Sequence, residues 1–128
     1  FVKGHALSSG KLGATGFCWG GGMTMHLAVA LGSDLQACAP FYGAAPDAAS
    51  ARNIRAPMLV HYAEKDDRIN AMWPDFGTAL TAAGVPHQMH VYPGTQHGFH
   101  NNSTRRRATT RRRLHWPGSA RWPSCVST

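Results

Sequence analysis

"GFCWGGG", residues 16–22, sets one cysteine among four glycines between two apolar stretches. Before it, "KLGATGF" ends as a short run of β-compatible residues and reads as a strand. After it, residues 21–31 read as a helix, with Met23, Leu27 and Leu31 four apart on one face and Gly32 as its stop. A strand that turns sharply into a helix through G-x-C-x-G presents a nucleophile at the tip of the turn. Gly16 and Gly20 are expected to remove Cβ atoms that would clash where the chain folds back. Cys18 then stands at a helix N-terminus, where free N–H groups and the helix dipole favour a thiolate. The Trp19 backbone N–H, one position on, is placed to donate to an oxyanion formed by attack on a carbonyl.

Outward from this turn the elements alternate. "LQACAPFYG" reads as a buried strand closed by Gly43, and "APMLVHYA" as another, opened at its edge by Pro57. "NAMWPDFGTALTAAG" is helical toward its end, where Phe76, Leu80 and Ala83 share a face and Gly84 caps it; "PHQMHVYPG" is a fourth strand. Crossovers of this length predict an α/β class with a parallel sheet covered by helices. A cysteine nucleophile needs a base and an orienting acid, which in this architecture follow in the order nucleophile, acid, histidine. Asp66, with Asp67 as its neighbour and competitor, lies in "AEKDDRIN" just past a strand. His97, with His100 as its competitor, lies in "GTQHGFHN" just past the next. Cys18, Asp66 and His97 thus each follow the carboxyl end of a strand, along one edge of the sheet.

Composition narrows the alternatives. The 128 residues carry a net charge of +7, which would suggest a nucleic-acid partner if it were spread over the chain. It is not: residues 1–103 hold six basic and six acidic side chains, and the excess is seven arginines between Arg105 and Arg121. Cys18, Cys38 and Cys125 are too few and scattered for a disulfide framework or a C-x-x-C metal pair, so a reducing cytoplasm is expected, with Cys38 in the core. Nothing resembles a signal peptide, and no apolar run is long enough to cross a bilayer. His87 and His90, three apart on a strand, point to opposite faces and cannot share a metal; His61 reads as a strand residue and His26 as a helix-surface residue. The glycines lack a following G-K-[ST], and Met25 stands where a dinucleotide loop needs its third glycine. No metal and no cofactor are expected.

"GATGFCWGGG", "LVHYAEKDDRIN" and "VYPGTQHGFHN", in that order, resemble the dienelactone hydrolase family, the branch of the α/β-hydrolases that uses cysteine where most members use serine. The resemblance covers residues 1–103 and implies an α/β-hydrolase fold with Cys18 as nucleophile, Asp66 as acid and His97 as base. It implies hydrolysis of an enol-lactone or related small-molecule ester through a thioester, with no cofactor and neither nucleic acid nor membrane as partner. It also implies strands and helices ahead of the elbow, holding a second oxyanion donor and an acidic residue that meets the cysteine. Residues 1–103 are therefore expected to be the C-terminal part of such a domain, lacking its N-terminal strands. Family members that open dienelactone hold its carboxylate with arginines, one shortly after the histidine, where this chain has Asn101.

The segment 104–128 departs from that pattern, having no periodicity where the family continues into an amphipathic helix. GC-rich codons chosen for "RATTRRRLHWP", read one base earlier, decode as Pro-Arg-Tyr-Asp-Glu-Ala-Ala-Ala-Ala-Leu-Ala, a helix-forming run, so a frameshifted tail is one expectation. Nucleic-acid binding through the arginine clusters, weak and steeply salt-dependent, is the alternative. A third reading is an inactive remnant that exposes apolar surface, folds poorly by itself and aggregates.

Overall fold

The computed structural model describes residues 1–101; the arginine-rich segment 104–128, with the frame-slip and nucleic-acid readings attached to it and Cys125 within it, lies outside the described residues. Four strands, β1 (Gly13–Phe17), β2 (Ala37–Phe41), β3 (Met58–Lys65) and β4 (His87–Gln96), form one sheet in the order β1-β2-β3-β4. Every neighbouring pair is parallel. Helix α1 (Trp19–Leu31) connects β1 to β2, while α2 (Asp67–Asn70) and α3 (Trp73–Ala82) connect β3 to β4. This is the expected parallel sheet flanked by helices, and it brings all four carboxyl ends to one edge.

One buried cluster lies between sheet and helices: Met25 and Ala28 of α1, Phe76 and Leu80 of α3, and Cys38, Met58, Val60 and Tyr62 of the strands. The side-chain alternation of a strand sends their sequence neighbours to the other face, where Phe41 and His61 stack with ring centroids 4.2 Å apart. His87 meets Trp73 of α3 while His90 lies beside His61, so these two histidines do point to opposite faces. Cys38 is fully buried as expected, and burial pushes its thiol up to about 12.

Helix α1 corrects two expectations. It starts at Trp19 rather than at residue 21, because Cys18 itself is the N-cap. Its buried face is Gly21, Gly22, Thr24, Met25 and Ala28, whereas Met23 and Leu27 are 40% and 42% exposed. Close approach decided this: the stripe of small residues lets the helix lie against the backbone at the end of β2, and a stripe of long side chains could not. In α3 the expected face holds, with Phe76 and Leu80 buried and Gly84 at φ 71° just past the end. No helix among the described residues is long and apolar enough to cross a membrane.

Candidate active site

The turn from β1 into α1 is strained at its tip. Cys18 has φ 57° and ψ −122°, outside the regions that side-chain-bearing residues ordinarily adopt. It is held there by its N–H, which donates to the Phe41 carbonyl at 3.0 Å, and by its carbonyl, which accepts from the Gly22 N–H at 3.2 Å. A Cβ at position 16 would sit 2.3 Å from the Gly20 carbonyl oxygen and 2.7 Å from the Thr24 hydroxyl, so Gly16 is required as expected. Gly20 is not: a Cβ there meets nothing within 4 Å among the described residues. What matters at position 20 is its carbonyl, which occupies the space a side chain at Gly16 would need.

The three residues singled out by order and spacing meet across the sheet edge. His97, just past β4, places Nε2 2.9 Å from the Cys18 sulfur and Nδ1 2.5 Å from Asp66 Oδ2. Asp66 stands at the N-cap position of α2, its side chain turned to His97 rather than to the helix amides and only 9% exposed. Its competitor Asp67 is an exposed residue in the first turn of α2, and His100 packs instead against the rings of Phe17, Phe41 and Phe99.

The electrostatics favour a charged pair. The hydrogen bond from His97 is the main cause that holds Cys18 below its ordinary 9.0; burial opposes it, and the Trp19 amide and the charges of His97 and Arg68 add to it. Burial alone would lower His97, but its bonds to Cys18 and Asp66, with the Asp66 charge, outweigh that and lift it above 6.5. Both shifts run in the direction that stabilises a thiolate beside an imidazolium.

Sequence reasoning missed the side chains that hold these loops. Glu64 accepts the Gly94 N–H at 2.5 Å, tying the bend before His97 to the end of β3. Asn70 donates to the Ala63 and Glu64 carbonyls at 2.8 and 3.2 Å, fixing the loop that carries Asp66. Both flank Asp66 in "AEKDDRIN"; the Glu64 contact spans thirty positions and leaves no local signal, whereas the Asn70 contacts reach back only six and seven. Asn101 closes the histidine loop through its N–H, which donates to the Gly98 carbonyl at 2.8 Å.

With that geometry in view, the profile of the dienelactone hydrolase family matches residues 2–122. The chain belongs to the dienelactone hydrolase family. A carboxymethylenebutenolidase homolog of Xenopus tropicalis is 34% identical over 91 residues, which are 70% of this chain and 37% of that protein. The protein usf of Aquifex pyrophilus is 36% identical over 93 residues, 71% of this chain and 40% of its own length. Among solved structures, one from Klebsiella pneumoniae assigned as a candidate dienelactone hydrolase superposes with a TM-score of 0.64 at 31% identity, covering 72% of this chain and 43% of that one. A dienelactone hydrolase-like promiscuous phosphotriesterase from metagenomic libraries shares the fold with a TM-score of 0.68 at 24% identity, over 77% of this chain and 42% of that one. The chain thus spans about two fifths of the length of the family members it matches.

For this member of the dienelactone hydrolase family, the His97 contact makes a titration prediction. Alkylation of Cys18 by iodoacetamide should rise with pH through a midpoint below 9.0, since only the thiolate reacts. Removing the imidazole in His97→Ala removes the main cause of the lowering, so the midpoint should move up toward 9.0 and alkylation at neutral pH should slow. A midpoint unchanged by the substitution, measured by mass spectrometry of the Cys18 peptide across pH, would contradict the pairing.

Proposed function

We propose that Cys18, His97 and Asp66 form the catalytic triad of a hydrolase that cleaves an ester or enol-lactone, of the dienelactone or carboxymethylenebutenolidase type, through a cysteine thioester. The observation that carries this reading is the unbroken line from Asp66 through His97 to Cys18 on a strained strand-to-helix turn. The Cys18 thiolate attacks the carbonyl carbon, and the Trp19 N–H takes a share of the charge that develops on oxygen. Collapse breaks the carbon–oxygen bond, and His97 Nε2 gives its proton to the departing alkoxide or enolate. His97 then removes a proton from water, which attacks the thioester and releases the carboxylic acid with Cys18 again a thiolate. Asp66 keeps the Nδ1 proton in place and stabilises the imidazolium. The steps consume the substrate and one water and use only groups of this chain. The family relatives named carboxymethylenebutenolidase support a small lactone or ester as substrate.

Trapping the intermediate tests this. After brief exposure to p-nitrophenyl acetate and an acid quench, an acetyl group should be found on the peptide that contains Cys18, labile to hydroxylamine, and not on the peptide with Cys38. Turnover of the ester with the acetyl group on another side chain, or no turnover and no adduct, would overturn the proposal.

A further inference from the structure

The strand order poses a problem for His97 that its two hydrogen bonds do not solve. It follows β4, while Cys18 follows β1 at the opposite edge of the described sheet, three strand spacings or roughly 14 Å away. The imidazole must therefore lie over the ends of the two central strands. The end of β3 supplies Asp66. The end of β2 supplies Tyr42.

Tyr42 and Cys18 are the two non-glycine residues with positive φ among the described residues, at 36° and 57°. For a bulky aromatic residue that conformation is a strain, of the sort kept where the surroundings over-determine it. Here the Tyr42 N–H donates to the His61 carbonyl at 2.7 Å, and the next residue, Gly43, lies against the backbone of α1. The side chain is consequently fixed, 3% exposed, under the histidine loop. Its ring meets His97 edge-on, with centroids 4.9 Å apart and planes at 61°, and meets Phe99 of the same loop in the same way at 5.2 Å. Burial and the nearby Cys18 charge raise the phenol, with a backbone hydrogen bond from His100 opposing them.

Resting on the triad reading above, we infer that Tyr42 is a positioning residue: its ring is the seat that holds the His97 imidazole within reach of the Cys18 sulfur. The contact with His97 is made by the ring. Tyr42→Phe therefore keeps the seat, while Tyr42→Leu keeps apolar volume but removes the flat edge.

Cys18 acidity distinguishes this role from core packing, which would alter stability and leave the thiol alone. The pH profile of Cys18 alkylation is measured for the unsubstituted chain, Tyr42→Phe, Tyr42→Leu and His97→Ala, with kcat and KM for p-nitrophenyl acetate. The midpoint of Tyr42→Phe should equal that of the unsubstituted chain. Tyr42→Leu should move up toward His97→Ala, with kcat lower by about ten- to a hundredfold and KM little changed, the size of effect a small misplacement produces. An unmoved midpoint in Tyr42→Leu overturns the inference. Because Tyr42→Leu could fail to fold, the unsubstituted chain gives a separate readout: cross-relaxation between the ring protons of Tyr42 and His97 is expected by NMR, and its absence also overturns the inference. If His97→Ala itself leaves the midpoint in place, the triad reading is what fails; if it moves the midpoint and Tyr42→Leu does not, the seat alone fails.

Discussion

Replacing Cys18 with alanine is expected to lower kcat for ester hydrolysis by about 10⁴-fold or more, with KM little changed, because the covalent route disappears while the substrate surface stays. The alternative nucleophile within the described residues is poor. Cys38 is fully buried and its thiol is pushed up to about 12, so near neutral pH it is neither exposed nor ionised. Cys38→Ala should therefore keep the rate and lose stability instead, through the cavity it leaves beside Met58 of β3 and the Thr24 carbonyl of α1. Alanine at position 18 keeps the strained φ of 57°, so the turn does not relax and the comparison with the unsubstituted chain isolates the sulfur. Steady-state hydrolysis of p-nitrophenyl acetate by the two variants decides the matter: activity of Cys18→Ala near that of the unsubstituted chain would remove Cys18 from the mechanism.

The meeting of Cys18, Asp66 and His97 at the candidate site was legible because each sits at a local signal. G-x-C-x-G marks a strand-to-helix turn whose first glycine follows from backbone geometry, and strands that end shortly before Asp66 and His97 announce themselves by apolar runs that stop. Order along the chain then became proximity in space, since parallel strands deliver every carboxyl end to one edge. What stayed hidden depends on approach distances or on partners far away in sequence. The exposed Met23 and Leu27 formed a better apolar stripe than the one α1 buries, yet the helix turned its small residues inward because the backbone of β2 lies under them. Gly20 looked as necessary as Gly16, and only the path of the folded chain separates them. Tyr42 read as the last residue of a buried strand, and nothing nearby announces that His97, fifty-five positions on, rests against its ring.

Gly43→Ala is expected to destabilise the protein by about 4 kcal/mol or more, a large fraction of the 5–15 kcal/mol that holds a typical domain together. A Cβ at position 43 would lie 2.1 Å from the Gly22 nitrogen and 2.2 Å from the Gly21 carbonyl carbon. Both are backbone atoms inside α1, so no rotamer change relieves the overlap, and the helix must move away from the end of β2. Gly21 faces the same crossing from the other side, where a Cβ would come within 2.4 Å of the Phe41 carbonyl oxygen. That oxygen accepts the Cys18 N–H at 3.0 Å, and the Gly43 carbonyl accepts the Tyr62 hydroxyl at 3.1 Å. Separating helix from strand breaks the first bond and disturbs the second, so the turn that carries Cys18 loses its anchor together with the stability. Gly20→Ala is the control, since its Cβ meets nothing within 4 Å: alanine in α1 should leave stability unchanged within about 1 kcal/mol or raise it through better helix propensity. Urea denaturation of the three proteins, with Cys18 alkylation followed in parallel, tests both halves. A Gly43→Ala protein as stable as the unsubstituted chain, its Cys18 just as acidic, would show that the close crossing of α1 over β2 is not what builds the site.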